Sequence, residues 1–327
     1  MYPLIGEALY VLIIKPVLLI AVLSTNIIVV VAWLSPKNRS PVSIILSVIA
    51  FYDTSTILFS TIYTISTYVA GNLLSVSGCY INHLAGSLAF IFHSLSILTT
   101  TYLACQRCVI CLFPFSGPRI CGQKTTVVFS IVSFVLITSM EMPFLLVRSI
   151  EGKMKMSDDN SSVLYCKAPY IINKDIMNDI PDIIWLIRLF TLHLMPAFVV
   201  TFSMIACVLT VNRRKMVSGR SSDQRSKKKT TVMLVLVMLI FVLGEFPTTF
   251  GIFLDAFLPA VPNWFSTEDG IHFGNFVLVI SFLLNILVYV GMSKQFRDSL
   301  KELLCRSSTE PKSQQTFITG VSICIER

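Results

Sequence analysis

The chain has 327 residues, of which 54% are hydrophobic and only 13% charged, where soluble proteins carry roughly 25% charge. With a mean hydropathy of +0.75, this composition excludes a water-soluble globule. The formal net charge of +8 belongs to the loops and tail, because the long apolar runs hold few ionisable groups.

Seven such runs reach the roughly 18 to 20 apolar residues that a membrane helix needs, and they predict an all-α membrane protein, a seven-transmembrane helix bundle. In chain order they are Ala8 to Leu34, Ser43 to Val69, Cys79 to Leu112, Thr126 to Val147, Ile183 to Val211, Thr230 to Leu254 and Ile271 to Met292. The first run exceeds the apolar core of a signal peptide and lacks a basic start or a small-residue cleavage site, so it is read as a helix. The first break is Ser35-Pro36-Lys37-Asn38-Arg39-Ser40-Pro41, a polar turn between two prolines. After the seventh run, Ser293 to Cys305 places Phe296, Leu300, Leu303 and Leu304 on one helical face and Lys294, Arg297 and Lys301 on the other. That pattern predicts a short amphipathic eighth helix in the interface, with Cys305 as an S-palmitoylation site. The chain is therefore divided into one seven-span membrane domain, 1–305, and a polar tail, 306–327.

Charge sets the orientation. The loops and tail on the carboxyl-terminal side carry 18 Lys and Arg against 5 acids, while the loops on the other side carry 5 Lys and Arg. By the positive-inside rule the amino terminus is outside and the tail is cytoplasmic, with the basic inner loops beside anionic membrane lipid. Of the nine cysteines, only Cys79 and Cys166 fall at or beyond the outer surface, and these two are expected to form a disulfide. That bond would tie the long loop Arg148 to Asp182 to the top of the third helix. The same loop offers Asn160 as a glycosylation acceptor, whereas the sequon at Asn38 faces the cytoplasm and should stay bare.

Motifs in successive helices then become recognisable. Asn26 and Asp53 are polar residues of the inner halves of helices one and two. Gln106-Arg107-Cys108 is followed by Pro114. Pro196, Ile97 and Phe241 fall in helices five, three and six, with Pro247 farther along helix six. Asn285 and Tyr289 close helix seven, and Phe296 follows. On these residues the chain resembles a rhodopsin-like, class A, G protein-coupled receptor over residues 8–305. Three segments resemble, more narrowly, nematode serpentine receptors of class W and FMRFamide-like peptide receptors: Leu103-Ala104-x-x-Arg107 running to Pro114, Glu245-Phe246-Pro247, and Met292-Ser293-Lys294-Gln295-Phe296-Arg297.

The resemblance implies a plasma-membrane receptor without catalysis or cofactor, partnered by a heterotrimeric G protein and by an extracellular neuropeptide or chemosensory compound, with no nucleic acid involved. It assigns Arg107, Tyr289 and Asn285 to the cytoplasmic switch, Ile97, Pro196 and Phe241 to a connector, and Pro247 to the bend of helix six. Asp53, Ser96 and Asn285 resemble an ion or water pocket, with sodium as the candidate metal at Asp53 and Ser96. The departures are Gln106 in place of an acid, Cys108 in place of tyrosine, Ile286 in place of proline, Met204 in place of tyrosine, and a fourth helix without tryptophan.

Each charge inside a span costs at least about 2.5 to 3.5 kcal/mol on an insertion scale, so it calls for a partner or a function. Glu141, Arg188 and Glu245 lie in outer halves and are candidate ligand contacts, with Arg188 as an alternative neutraliser of either acid. His93 is a further ligand candidate, although it and His193 are expected to be satisfied interior histidines. A ligand with a basic group meeting Glu245 is the expected chemistry. The rival reading is a transporter or channel that uses the buried charges as a pathway; the odd helix count and the absence of a visible repeat speak against it. An opsin is excluded because Ile271 to Met292 contains no lysine for a Schiff base.

Overall fold

A computed structural model describes residues 8–35, 40–70, 76–146, 151–156, 162–167, 187, 189–217, 222–258, 264 and 267–306. Seven of its helices are long and apolar enough to cross a membrane. They are α1 (Lys15–Leu34), α2 (Pro41–Ala70), α3 (Val76–Leu112), α4 (Gln123–Leu146), α5 (Met195–Val217), α6 (Ser222–Phe257) and α7 (Glu268–Met292), followed by the amphipathic α8 (Lys294–Arg306). Helices solve the problem of crossing a bilayer because every backbone polar group is bonded within the segment. Two spans begin with wider π-helical turns, Tyr10–Ile14 before α1 and Leu189–Leu194 before α5.

Among the described residues, one small element departs from the helical pattern. Strands β1 (Glu151–Met156) and β2 (Ser162–Lys167) pair antiparallel, with Gly152 opposite Cys166. This ribbon lies in the loop between α4 and α5, and β2 packs on α3.

α3 is the central helix, packed on α2, α4, α5 and α6. The largest core cluster draws buried residues from every membrane helix except α4, and from α8: Val29 and Trp33, Ile45 and Leu46, Leu103, Val200, Met233 and Met238, Tyr289 and Phe296. Trp33 meets Tyr289 edge-on at 5.8 Å and Phe296 at 5.4 Å between ring centroids. The buried Phe296 thus fastens α8 to α1 and α7. Arg297 Nη1 donates to the carbonyls of Val290 at 2.9 Å and Gly291 at 3.1 Å, capping the end of α7 with a positive charge.

α6 and α7 approach closely beside Pro247. A Cβ added at Gly244 would lie 2.6 Å from Ser281 Oγ, so glycine is what lets these two helices touch there. Pro247 sits inside α6, where it removes one backbone hydrogen bond and leaves a place to bend.

Candidate functional site

Phe241, Glu245 and Thr249 recur at intervals of four on α6, which puts them on one face. Opposite them, Pro196 has no N–H to offer the carbonyl one turn earlier, and the chain before it is wound as a π-helix through Leu194. Between these two stretches lies a cavity of about 150 Å³. Ile97 of α3, Pro196 of α5 and Phe241 of α6 all line it, together with His193 and Glu245. The structure therefore gathers the three expected connector residues around one space and sets an acid in its wall.

Glu245 is 7% exposed. Its Oε2 lies 3.5 Å from His93 Nε2, an ion-pair distance if the histidine is protonated, and it has no hydrogen-bond partner among the described residues. The His93 and His193 rings are 6.4 Å apart. Their Nδ1 atoms are buried, and neither has a hydrogen-bond partner among the described residues. The expectation of satisfied interior histidines is thus corrected: α3, α5 and α6 converge on one ionisable group of three, each member incompletely bonded. Arg188, the other expected partner for Glu245, lies outside the described residues. Glu141 is buried on α4 and does not line the cavity.

Deeper in the bundle, Ser96 Oγ donates to Asp53 Oδ1 at 2.5 Å, joining α3 to α2. Asn285 of α7 has a buried Oδ1 without a hydrogen-bond partner among the described residues. Asp53 and Ser96 are oxygen donors, the chemistry a hard cation such as sodium prefers, so these two residues fit such an ion as well as a water. Asn26 serves a different pair: its Nδ2 donates to the Ala50 carbonyl at 3.1 Å and to Thr54 Oγ1 at 2.9 Å, fixing α1 to α2.

Near the carboxyl-terminal end of α3, Arg107 is partly buried and its Nε has no hydrogen-bond partner among the described residues. Gln106 turns elsewhere. Its Nε2 donates to the Cys121 carbonyl at 3.2 Å and to Thr126 Oγ1 at 3.4 Å, stapling α3 to the start of α4. Between them a one-turn helix, Gly117–Ile120, follows Phe115, which is 92% exposed. Tyr289 is fully buried among Trp33 and Phe296.

Two features escaped sequence reasoning altogether. Lys15, buried inside the first span, donates to the Ser60 carbonyl at 3.1 Å and to Thr64 Oγ1; a single lysine in an apolar run was its only signal. The exposed Phe115 sits in a loop where periodicity says nothing. Cys79 is disulfide-bonded, while Cys105, Cys108, Cys111, Cys121 and Cys207 form no disulfide. Asn160 and the side chains of Cys166 and Cys305 lie outside the described residues.

Comparison with known proteins adds to this geometry. The model of the 7 transmembrane receptor (rhodopsin family) matches residues 25–308. The sex peptide receptor of Drosophila melanogaster is 24% identical over 94% of this chain and 76% of its own length. The B2 bradykinin receptor of Cavia porcellus is 24% identical over 70% of this chain and 62% of its own length. A blue-sensitive opsin of Anolis carolinensis is 23% identical over 82% of this chain and 72% of its own length.

Proposed function

The chain belongs to the rhodopsin family of seven-transmembrane receptors, and we propose that it transmits the binding of an extracellular peptide with a basic end to a heterotrimeric G protein. It does so without catalysis, from the plasma membrane, with its amino terminus outside. The observation that carries the reading is the cavity wall, where Glu245 stands beside Ile97, Pro196 and Phe241. A cation that draws on the underbonded Glu245 changes the packing of three helices at once, and Pro247 gives α6 a place to respond. A ligand that prefers the altered arrangement shifts the population toward it.

Arg107 and the apolar Phe115 supply a charged and an apolar contact for the G protein at the inner end. Two relatives bear the names of peptide receptors, which supports a peptide over other ligands, including the chemosensory compounds of the broader family resemblance. On the outer side, the bonded Cys79 and the packing of β2 on α3 support Cys166 as its partner. In that arrangement Asn160 is glycosylated and Cys305 is acylated beside the inner leaflet. Asp53, Ser96 and Asn285 hold an ion or water that favours the resting arrangement.

The test is a screen of short amidated peptides ending in basic residues, read as G protein activation in a heterologous cell, with glycosidase and surface labelling alongside. The reading expects an agonist among them, a glycosidase shift that Asn160→Gln removes, and a similar surface loss in Cys79→Ser, Cys166→Ser and the double variant. Activation only by acidic peptides would contradict the ligand assignment. A glycosidase shift that survives Asn160→Gln and vanishes in Asn38→Gln would reverse the topology.

A further inference from the structure

The cavity between α5 and α6 faces the bilayer as well as the bundle. Phe246 and Phe250 line it and are 56% and 37% exposed on the outward face of α6, within the carboxyl-terminal part of the span Lys229–Asp255. The lining is otherwise apolar, with Glu245, His193 and Thr249 as its ionisable or polar side chains. Ordinary ligand pockets measure roughly 300 to 1,000 Å³. A cavity of about 150 Å³ takes only the end of a molecule, about the bulk of one benzene ring.

These features specify an occupant. A neutral end can at most donate a hydrogen bond to Glu245 and leaves its charge uncompensated, and an anionic end would be repelled. An ammonium is costly in hydrocarbon unless it finds a carboxylate, and Glu245 provides one within reach of the lipid phase. We propose that this cleft takes the amine-bearing end of a lipid-soluble amphiphile entering sideways from the bilayer, with its amine against Glu245 and its apolar body along Phe246 and Phe250. Because Ile97, Pro196 and Phe241 form other walls of the same cavity, such a molecule bears on the connector directly. The proposal rests on reading Glu245 as a recognition group; it needs neither a peptide nor a G protein.

The experiment uses the full chain in phosphatidylcholine nanodiscs and a long-chain alkylamine carrying a photoreactive diazirine, beside the same chain ending in an alcohol. After irradiation, labelled peptides are mapped by mass spectrometry. The amine should label the 192–197 and 246–253 segments at least about tenfold more than the alcohol does, a difference near 1.4 kcal/mol. Glu245→Gln should bring amine labelling down to the alcohol level. Ala197→Trp should fill the cavity and remove the label, and Thr249→Phe closes the same space from the opposite wall should the first variant fail to fold. Equal labelling by amine and alcohol, or label spread evenly over all seven spans, overturns the proposal. If that happens while Glu245→Gln still weakens a water-soluble basic peptide, the lateral site alone is wrong. If Glu245→Gln alters neither, the recognition role of Glu245 falls with it.

Discussion

The two ends of the bundle handle their polar and aromatic groups differently. At the end that carries α8, Trp33, Tyr289 and Phe296 interlock, Asn26 and Gln106 each donate to two acceptors, and Arg297 caps α7. Toward the other end, His93, His193 and Glu245 come together from three helices around bonds that are not fully made. Asp53 and Ser96 lie between, joined by a short hydrogen bond. The contrast separates two tasks. Neither end is fully bonded, since Trp33 Nε1, Gln106 Oε1 and Arg107 Nε also lack hydrogen-bond partners among the described residues. What differs is that one end packs an aromatic core, while the other gathers ionisable side chains around a cavity, where a ligand that completes them gains most.

The largest effect expected from breaking this contrast lies in the aromatic core. Phe296→Ala removes a fully buried ring that α1, α7 and α8 share, and should lower stability by about 3 kcal/mol, seen as a drop in melting temperature and surface level. Phe198→Ala, on the lipid-facing side of α5, should change stability by no more than about 0.5 kcal/mol. Equal losses would mean that the aromatic group does not anchor that end of the bundle.

Between the two ends, Ser96→Ala takes away the hydroxyl that donates to Asp53. The expected loss is about 2 kcal/mol, since a hydrogen bond to a buried carboxyl is worth roughly 1.5 to 3. Ser96→Thr keeps the hydroxyl and should restore most of it. If both variants melt like the parent, the bond is not part of what holds α2 to α3.

The smallest effect concerns signalling at rest. Gln106 holds α4 rather than Arg107, so the arginine lacks the carboxylate restraint that an acid would provide. Gln106→Glu should lower basal G protein activation by about threefold, or about 0.65 kcal/mol of shift between states. Unchanged basal activity would show that no such restraint can be restored here.

The helical layout was legible because each span is a long apolar run whose ends carry charge, proline or glycine, and because Arg107, Asn285 and Tyr289 keep a recognisable order. Asp53 and Ser96 were legible for the same reason, and the structure joins them. The grouping of His93, His193 and Glu245 was not, because the three are separated by 100 and 52 positions and only the packing of α3, α6 and the π-helical turn before α5 brings them together. The cavity was hidden likewise, since the widened turn before Pro196 is a backbone event with no side-chain period. The hairpin of 151–156 and 162–167 went unread because an apolar run as short as Val163 to Cys166 does not by itself separate a strand from a helical segment.

The division of labour can be tested in one concentration–response experiment with any basic agonist, comparing Glu245→Gln and Arg107→Ala with the parent chain. Glu245→Gln should cost at least about tenfold in potency, near 1.4 kcal/mol, and keep most of the maximal response. Arg107→Ala should remove the response while ligand affinity and surface level stay within about threefold, because the residue lies at the opposite end of the switch. Arg188→Gln, run beside them, should shift potency less than Glu245→Gln. Full signalling by Arg107→Ala, or unchanged potency in Glu245→Gln with a collapse in Arg188→Gln, would contradict recognition at the outer cluster and coupling at the inner one.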